Sequence, residues 1–320
     1  MNKKPIIIVG GEPYSVFLEL FFKSKKIVNL KNPVILIASK ELVMLQMKKL
    51  GFSFKINLIN KKKIDFNLLD EKKINLVHIN FKFNKVFDKI SDKSNLYINE
   101  SFKIALKILK EENCSGLING PISKKHFLKG KSLGITEYLS KKTKTKNVVM
   151  IIFNKKLSVS PLTTHLALKN VNKNISKKKI CKHVELINRF YKKNFKKKPR
   201  IAITGLNPHC ESNFKNCEES AIIKPAIKDL NTKNQLVKGP FPADTIFMKE
   251  NLKKFDVILG MYHDQVLSPM KALFGFNAIN ITIGLPFIRI SPDHGPNSSM
   301  QGKNLSNPQS LIEALKFLDK

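Results

Sequence analysis

The sequence predicts an α/β fold in which short strands alternate with helices around a largely parallel sheet. Short β-branched runs recur from one end of the chain to the other, and segments of helical period lie between them. The 320 residues suggest about two domains at a typical domain size of roughly 150 residues. Their 42% hydrophobic content, with 22 Phe, is enough to fill the interiors. Small disulfide scaffolds and global disorder are excluded.

In chain order, Pro5–Val9 reads as a strand ending at Gly10-Gly11, a tight strand-to-helix turn that can equally approach a ligand. Pro33–Ala38 is a second strand, and Lys40–Leu50 a helix closed by Gly51 at its C-terminal cap. Residues 52–95 are rich in Lys and Asn and read as edge strands and loops. Leu96–Leu109 is a long periodic segment followed by a strand at Gly116–Asn119, with another at Val148–Phe153. The clearest helix lies near Ile175–Tyr191, where Ile180, Val184, Ile187 and Tyr191 recur at spacings of four, three and four. That face should pack on a sheet. Further strands are expected at Arg200–Thr204, Asp256–Gly260 and Ala278–Ile283.

Lys and Arg total 58 against 24 Asp and Glu, a formal charge of +34. Only Arg189, Arg200 and Arg289 are arginines, whereas readers of nucleic acid rely on the planar guanidinium for bidentate contacts. The charge therefore reads as a compositional bias toward Lys, Asn and Ile spread over solvated faces, with neither nucleic acid nor membrane as partner. The run Lys192–Pro199 reads as a solvated helix end. Cys114, Cys181, Cys210 and Cys217 show no C-x2-C pairing, which fits a reducing cytoplasm. The four-residue apolar run before Gly10 is too short for a signal peptide. Ala272–Ile288, interrupted by Asn277, Asn280, Gly284 and Pro286, falls short of a membrane span.

Neither G-x-G-x-x-G nor the P-loop pattern occurs, so no cofactor-binding residue can be assigned. Three histidines follow strands in polar turn sequences: His165 in Pro161-Leu162-Thr163-Thr164-His165, His209 in Gly205-Leu206-Asn207-Pro208-His209, and His263 in Met261-Tyr262-His263-Asp264. Ligands of open α/β sheets bind at the carboxyl ends of strands, so three imidazoles there can converge on one divalent ion and leave positions for a substrate oxygen. Asp264 can orient an imidazole, act as a base, serve as a ligand or simply cap the following helix. A second set runs from Lys271 through Asn280 and Arg289 to Asp293-His294. An arginine in a lysine-dominated chain points to a planar anion or to a structural salt bridge.

Asn207-Pro208-His209, Gly239-Pro240-Phe241-Pro242-Ala243-Asp244-Thr245-Ile246-Phe247, Met261-Tyr262-His263-Asp264-Gln265, Gly284-Leu285-Pro286-Phe287-Ile288-Arg289 and Asp293-His294-Gly295 closely resemble the 4-hydroxythreonine-4-phosphate dehydrogenase family. Thr163-Thr164-His165 and Gly134-Ile135-Thr136-Glu137 fit the same register, and Gly11-Glu12-Pro13 is a weaker echo. The resemblance covers roughly residues 116–310. It implies a two-domain α/β/α enzyme of the isocitrate and isopropylmalate dehydrogenase type, a homodimer with its active site in the interdomain cleft. The domains would be 1–128 with 290–320, and 129–289. The implied reaction is oxidation of 4-phosphooxy-L-threonine by NAD or NADP, followed by decarboxylation to 3-amino-2-oxopropyl phosphate for pyridoxal phosphate synthesis. His165, His209 and His263 match metal-ligand positions shared between subunits, for zinc, magnesium, cobalt or manganese. Thr136, Lys271, Asn280 and Arg289 match substrate-binding positions. Beside this implied set, Asp244 or Asp264 is offered as the group that takes up or relays the hydroxyl proton.

Three departures stand out. Tyr14-Ser15-Val16-Phe17-Leu18-Glu19 replaces the family's glycine-containing turn, Ile135 replaces a substrate-binding histidine, and Pro296 replaces a threonine. They keep two alternatives open: a dehydrogenase for a phosphorylated sugar acid of the 4-phospho-threonate or 4-phospho-erythronate type, and a catalytically weak relative that binds metal and a phosphorylated ligand.

Overall fold

A computed structural model of the chain describes residues 4–61, 64–130, 132, 134–211, 217–275, 277–292 and 295–320, so Asp293 and His294 lie outside the described residues. Its elements follow in order as β1 (Ile6–Val9), α1 (Phe17–Ile27), β2 (Val34–Ala38), α2 (Lys40–Lys49), β3 (Ile56–Leu58), β4 (Ile74–His78), α3 (Asn95–Glu111), β5 (Gly116–Asn119) and α4 (Ile135–Lys142). Then come β6 (Val149–Phe153), β7 (Ser158–Thr163), α5 (Lys177–Phe195), β8 (Ile201–Thr204), α6 (Lys224–Thr232), β9 (Val237–Phe241), α7 (Lys249–Leu252), β10 (Val257–Tyr262), α8 (His263–Phe274) and β11 (Ile279–Ile283). The chain closes with β12 (Arg289–Ser291) and α9 (Gln309–Leu318). Two compact units emerge, one of residues up to Lys146 with Leu285–Lys320 and one of Asn147–Gly284.

In the first unit the strands lie in the order β3-β4-β2-β1-β5-β12 and pair in parallel throughout. Strands covered on both faces must be apolar along their whole length. Ile6–Val9 and Gly116–Asn119 are accordingly buried at every position. Within the Lys- and Asn-rich stretch, β3 is the edge strand, but β4 is internal, between β3 and β2. Helix α2 follows from local chemistry. The Ser39 side chain accepts from the Leu42 N–H, Glu41 sits in the first turn, and Lys48 and Lys49 sit in the last, matching the helix dipole. The chain leaves through Gly51 at φ +74°, a conformation that glycine adopts without strain.

In the second unit the order is β11-β6-β7-β10-β8-β9. From β7 to β9 the pairing is parallel, but β6 runs antiparallel to both β11 and β7. The physical reason on the β7 side is the connection: residues 154–157 are too few for a crossover, so the chain must reverse. Strand β7 escapes the β-branched pattern because it reads Ser-Val-Ser-Pro-Leu-Thr, yet all six residues are buried. Helix α5 buries Ile180, Val184, Ile187 and Tyr191, the face its spacing predicts, and adds His183 and Phe190. It ends at Lys196 with φ +53°, and the lysines beyond it are exposed. Among the described residues no helix is long and apolar enough to cross a membrane.

The turn after β1 buries a carboxyl group. Glu12 is 1% exposed, its Oε2 accepts from the Ser94 hydroxyl at 3.1 Å, and Oε1 has no hydrogen-bond partner. The departing segment 14–19 builds its own turn: the Ser15 hydroxyl donates to the Glu12 carbonyl at 2.7 Å and accepts from the Phe17 N–H at 3.3 Å. Two departures from the family pattern meet here, since the Val16 N–H donates to the Pro296 carbonyl at 3.2 Å.

Burial pushes the Glu12 pKa up to about 7, against the opposing pull of the Ser94 hydroxyl, the Tyr14 backbone and His126. A carboxyl whose pKa is raised on folding stabilises the protein while protonated, and that stability is lost as pH rises from about 4.5 through about 7. Urea unfolding at pH 5 to 8 should therefore show Glu12→Gln gaining on the parent with rising pH, by at most about 2–3 kcal/mol. Parallel pH profiles for the two proteins would contradict this.

Candidate functional site

Most candidate residues project from the second unit, and strand order explains why. Parallel neighbours β7, β10 and β8 present their carboxyl ends at one edge. His165 follows β7 by two residues, His263 opens α8 directly after β10, and His209 lies in the turn after β8. The His165 and His263 rings lie 5.8 Å apart between centroids, tilted by 34°. His263 Nδ1 is 2.6 Å from Asp264 Oδ1. A carboxylate oxygen accepts, so Nδ1 carries a proton, and in the neutral ring the lone pair is on Nε2. Asp264 occupies the first turn of α8, where the N-cap is Tyr262.

Backbone geometry sets two of these histidines apart. His165 has φ +27°, and His209 and Cys210 have φ +56° and +61°. Left-handed conformations at non-glycine residues cost about 1–3 kcal/mol each and concentrate at functional sites. His209 is exposed in its turn and is not brought into a three-donor set with the other two. Among the described residues no group of three or more His, Cys, Asp or Glu side chains is gathered for a metal. Asp244 is exposed after β9, near enough for its charge to act on the Cys210 thiol beside His209.

Lys271 lies in the last turn of α8, and partial burial lowers the pKa of its ammonium. Asn280 sits in β11 with Nδ2 donating to Met150 Sδ at 3.3 Å. Its Oδ1 is buried with no hydrogen-bond partner. A buried oxygen left without a donor is a destabilising feature unless something else supplies one.

The first unit holds the remaining candidates. Thr136 is in the first turn of α4, after Gly134 at the N-cap. Arg289 begins β12, is 1% exposed and donates from Nε to Asn119 Oδ1 at 2.7 Å. Burial lowers the pKa of its guanidinium, and the nearby Glu137 carboxylate counters that by favouring the charge. Ile135 turns to structure: with Tyr138 it packs against the core cluster that includes Leu139.

Sequence reasoning passed over two polar residues that the structure places at the strand ends. Gln265 closes the Met261–Gln265 motif and is 9% exposed, and Glu219 is 1% exposed. The available signal for Gln265 was its place beside Val266 on the buried face of α8.

Residues 29–318 match the family model described as pyridoxal phosphate biosynthetic protein PdxA. A 4-hydroxythreonine-4-phosphate dehydrogenase of Sulfurihydrogenibium sp. is 40% identical over 76% of this chain and 75% of its own length. Its namesake from Aquifex aeolicus is 33% identical over 100% and 98%. A protein of Oceanobacillus iheyensis, named provisionally a D-threonate 4-phosphate dehydrogenase, is 32% identical over 98% and 97%. The crystal structure of a 4-hydroxythreonine-4-phosphate dehydrogenase from Burkholderia phymatum superposes with a TM-score of 0.81 at 27% identity, covering 100% of this chain and 98% of that one. The enzyme of the same name from Klebsiella pneumoniae gives 0.85 at 25%, covering 99% and 98%. With the family model matched over most of its length, this chain belongs to the PdxA family.

Proposed function

We propose that the protein is a 4-hydroxythreonine-4-phosphate dehydrogenase acting in pyridoxal phosphate biosynthesis. It oxidises the C3 hydroxyl of 4-phosphooxy-L-threonine with NAD+ or NADP+, and the β-keto acid formed loses CO2 to give 3-amino-2-oxopropyl phosphate. The observation that carries this reading is the edge where β7, β10 and β8 end in His165, His263 and His209, with the first two rings 5.8 Å apart.

The donor chemistry fits a divalent ion. Imidazoles suit zinc better than magnesium or manganese, which prefer oxygen donors, and a carboxylate on Nδ1 fixes the tautomer in which Nε2 can bind metal. His165, His209 and His263 would hold the ion, shared between the subunits of a homodimer. When bound, the ion would supply Lewis acidity to the substrate alcohol, and the nicotinamide would supply the hydride acceptor.

The chain's own residues have the remaining tasks. Oxidation breaks the C3–H and O–H bonds and forms a C=O bond, so the hydroxyl proton needs an acceptor, a role given to Asp244 or Asp264. Lys271 and Arg289 bind the carboxylate and phosphate, the guanidinium through its planar fork. Asn280 Oδ1 accepts from a substrate donor, which would satisfy an oxygen that lacks a partner in the protein. The Thr136 hydroxyl adds a hydrogen bond at the start of α4. None of the four cysteines is joined in a disulfide, in keeping with an enzyme of the cytoplasm.

A second reading has specific support. Ile135 cannot hydrogen-bond the substrate and packs on the core, and the Oceanobacillus relative carries a D-threonate 4-phosphate name. On that reading the same residues oxidise a phosphorylated sugar acid.

NADH or NADPH formation by purified protein with 4-phosphooxy-L-threonine and a divalent ion tests the proposal, with 4-phospho-threonate and 4-phospho-erythronate run alongside. Metal-dependent turnover of the threonine derivative supports the first reading, turnover of only the sugar acids the second, and none of either sinks both. His209→Ala should lower kcat/KM by roughly 100-fold or more, and chelation of the parent should abolish activity until metal is restored. Asn280→Ala should raise KM about tenfold, equivalent to about 1.4 kcal/mol. Its unfolding free energy should fall by no more than about 1–2 kcal/mol, because the oxygen removed has no partner in the protein and only the Nδ2 bond to Met150 Sδ is lost. An unchanged KM would remove Asn280 from the substrate site.

A further inference from the structure

We propose that Gln265 is a positioning residue for the candidate metal histidines: it ties the ends of β8 and β10 together and so governs metal affinity without touching metal or substrate. The proposal rests on the reading of His165, His209 and His263 as metal ligands.

The backbone ladder between β8 and β10 runs from Val257↔Ile201 to Leu259↔Ile203 and stops there. Both histidine-bearing turns begin just beyond that point. Gln265 folds back from the first turns of α8 and continues the connection with its side chain. Oε1 accepts from the Met261 N–H at 2.7 Å and from the Thr204 hydroxyl at 2.8 Å, and Nε2 donates to the Gly205 carbonyl at 2.8 Å. Two donors and one acceptor surround the amide, so only one of its two orientations satisfies all three partners.

The connection extends in both directions. On the β7 side, the Thr163 hydroxyl donates to the Met261 carbonyl at 2.7 Å, two residues before His165. On the β8 side, Glu219 Oε1 accepts from the Leu206 and Asn207 N–H groups at 2.7 and 2.8 Å, and Oε2 accepts from Asn207 Nδ2 at 2.9 Å. His209 is two residues further on. A continuous path, Thr163–Met261–Gln265–Gly205 followed by the Glu219 clamp, therefore joins the roots of all three histidines, and Gln265 is its hub.

Steric fit leaves the path little freedom. A Cβ at Gly260 would clash with Val266 Cγ1 and lie 3.1 Å from Gln265 Oε1. At Gly205 it would lie 2.8 Å from Cys210 Sγ and 3.0 Å from Glu219 Oε1. The space for the Gln265 amide and the Glu219 carboxylate exists because both neighbours are glycine. Whether the imidazoles serve one ion or ions shared with a second copy, each must leave its strand end in a fixed direction, and groups that orient ligands typically change metal affinity 10- to 100-fold when removed.

Titration of the metal-free full-length protein with Co2+, read by visible absorption, tests this with Gln265→Met, which keeps the bulk and removes all three bonds. The expected result is Co2+ affinity weakened about 10- to 100-fold, with shifted ligand-field bands at saturation. Thr204→Val should weaken binding by a smaller factor and Thr204→Ser should restore it, a pair that carries the test even if Gln265→Met does not fold. Parent-like affinity and bands in all variants, with only the melting temperature lowered, would overturn the positioning role. If the parent itself binds no Co2+, or binds it no better than His209→Ala, the metal-ligand reading fails first and takes the positioning role with it.

Discussion

Parallel pairing of β7, β10 and β8 is the constraint on which the second unit's site depends. Adjacent parallel strands all end on the same side, so residues from widely separated stretches of sequence arrive at one edge. The pairing aligns backbones only while the ladder lasts. β10 keeps its register with β7 as far as Tyr262↔Thr163 but loses β8 after Leu259↔Ile203. That asymmetry matches the geometry at the edge: His165 and His263 are side by side, whereas His209 leaves through a turn in which two consecutive residues have positive φ.

Buried polar groups are costly wherever they lack partners, and two cases in the second unit differ. Gln265 and Glu219 are spent on the strand ends and turns, on the Met261, Leu206 and Asn207 N–H groups, the Gly205 carbonyl and the side chains of Thr204 and Asn207, so they stabilise a shape. Asn280 Oδ1 is held in β11 without a donor and stabilises nothing within the chain. In the first unit, Arg289 is held by Asn119 at Nε, which fixes the plane of its fork.

Much of the fold was legible because strands buried on both faces must be apolar throughout, and Ile6–Val9 or Gly116–Asn119 show that directly. Strand β7 was not, because its Ser and Thr side chains are accommodated by specific partners: Thr163 donates to Met261, and the Tyr191 hydroxyl donates to Ser158 at 2.9 Å. Such partners come from distant sequence and leave no local period. β4 was obscured by the Lys and Asn around it, although Ile74–Val77 are fully covered. At the site, the histidines were legible from motif and strand position. The role of Gln265 was not, since its three bonds join two strands whose adjacency the sequence does not state.

Charge composition gives an independent view of where geometry matters. With 58 basic residues, lysine serves wherever only a positive charge or solubility is needed. Two of the three arginines sit where a point charge would not do. Arg200 reaches both Asp256 oxygens, from Nε at 3.3 Å and Nη2 at 3.2 Å, and also donates to the Lys253 carbonyl. Arg289 is buried with a directed bond from Nε. A lysine could place its charge near Asp256 but could not make the coplanar Nε and Nη2 donations of Arg200. Arg200 spends that planarity within the fold, on a carboxylate. Arg289 begins a strand beside Asn119, and the Nε bond to Asn119 Oδ1 holds the plane of its guanidinium within the buried strand core of the first unit.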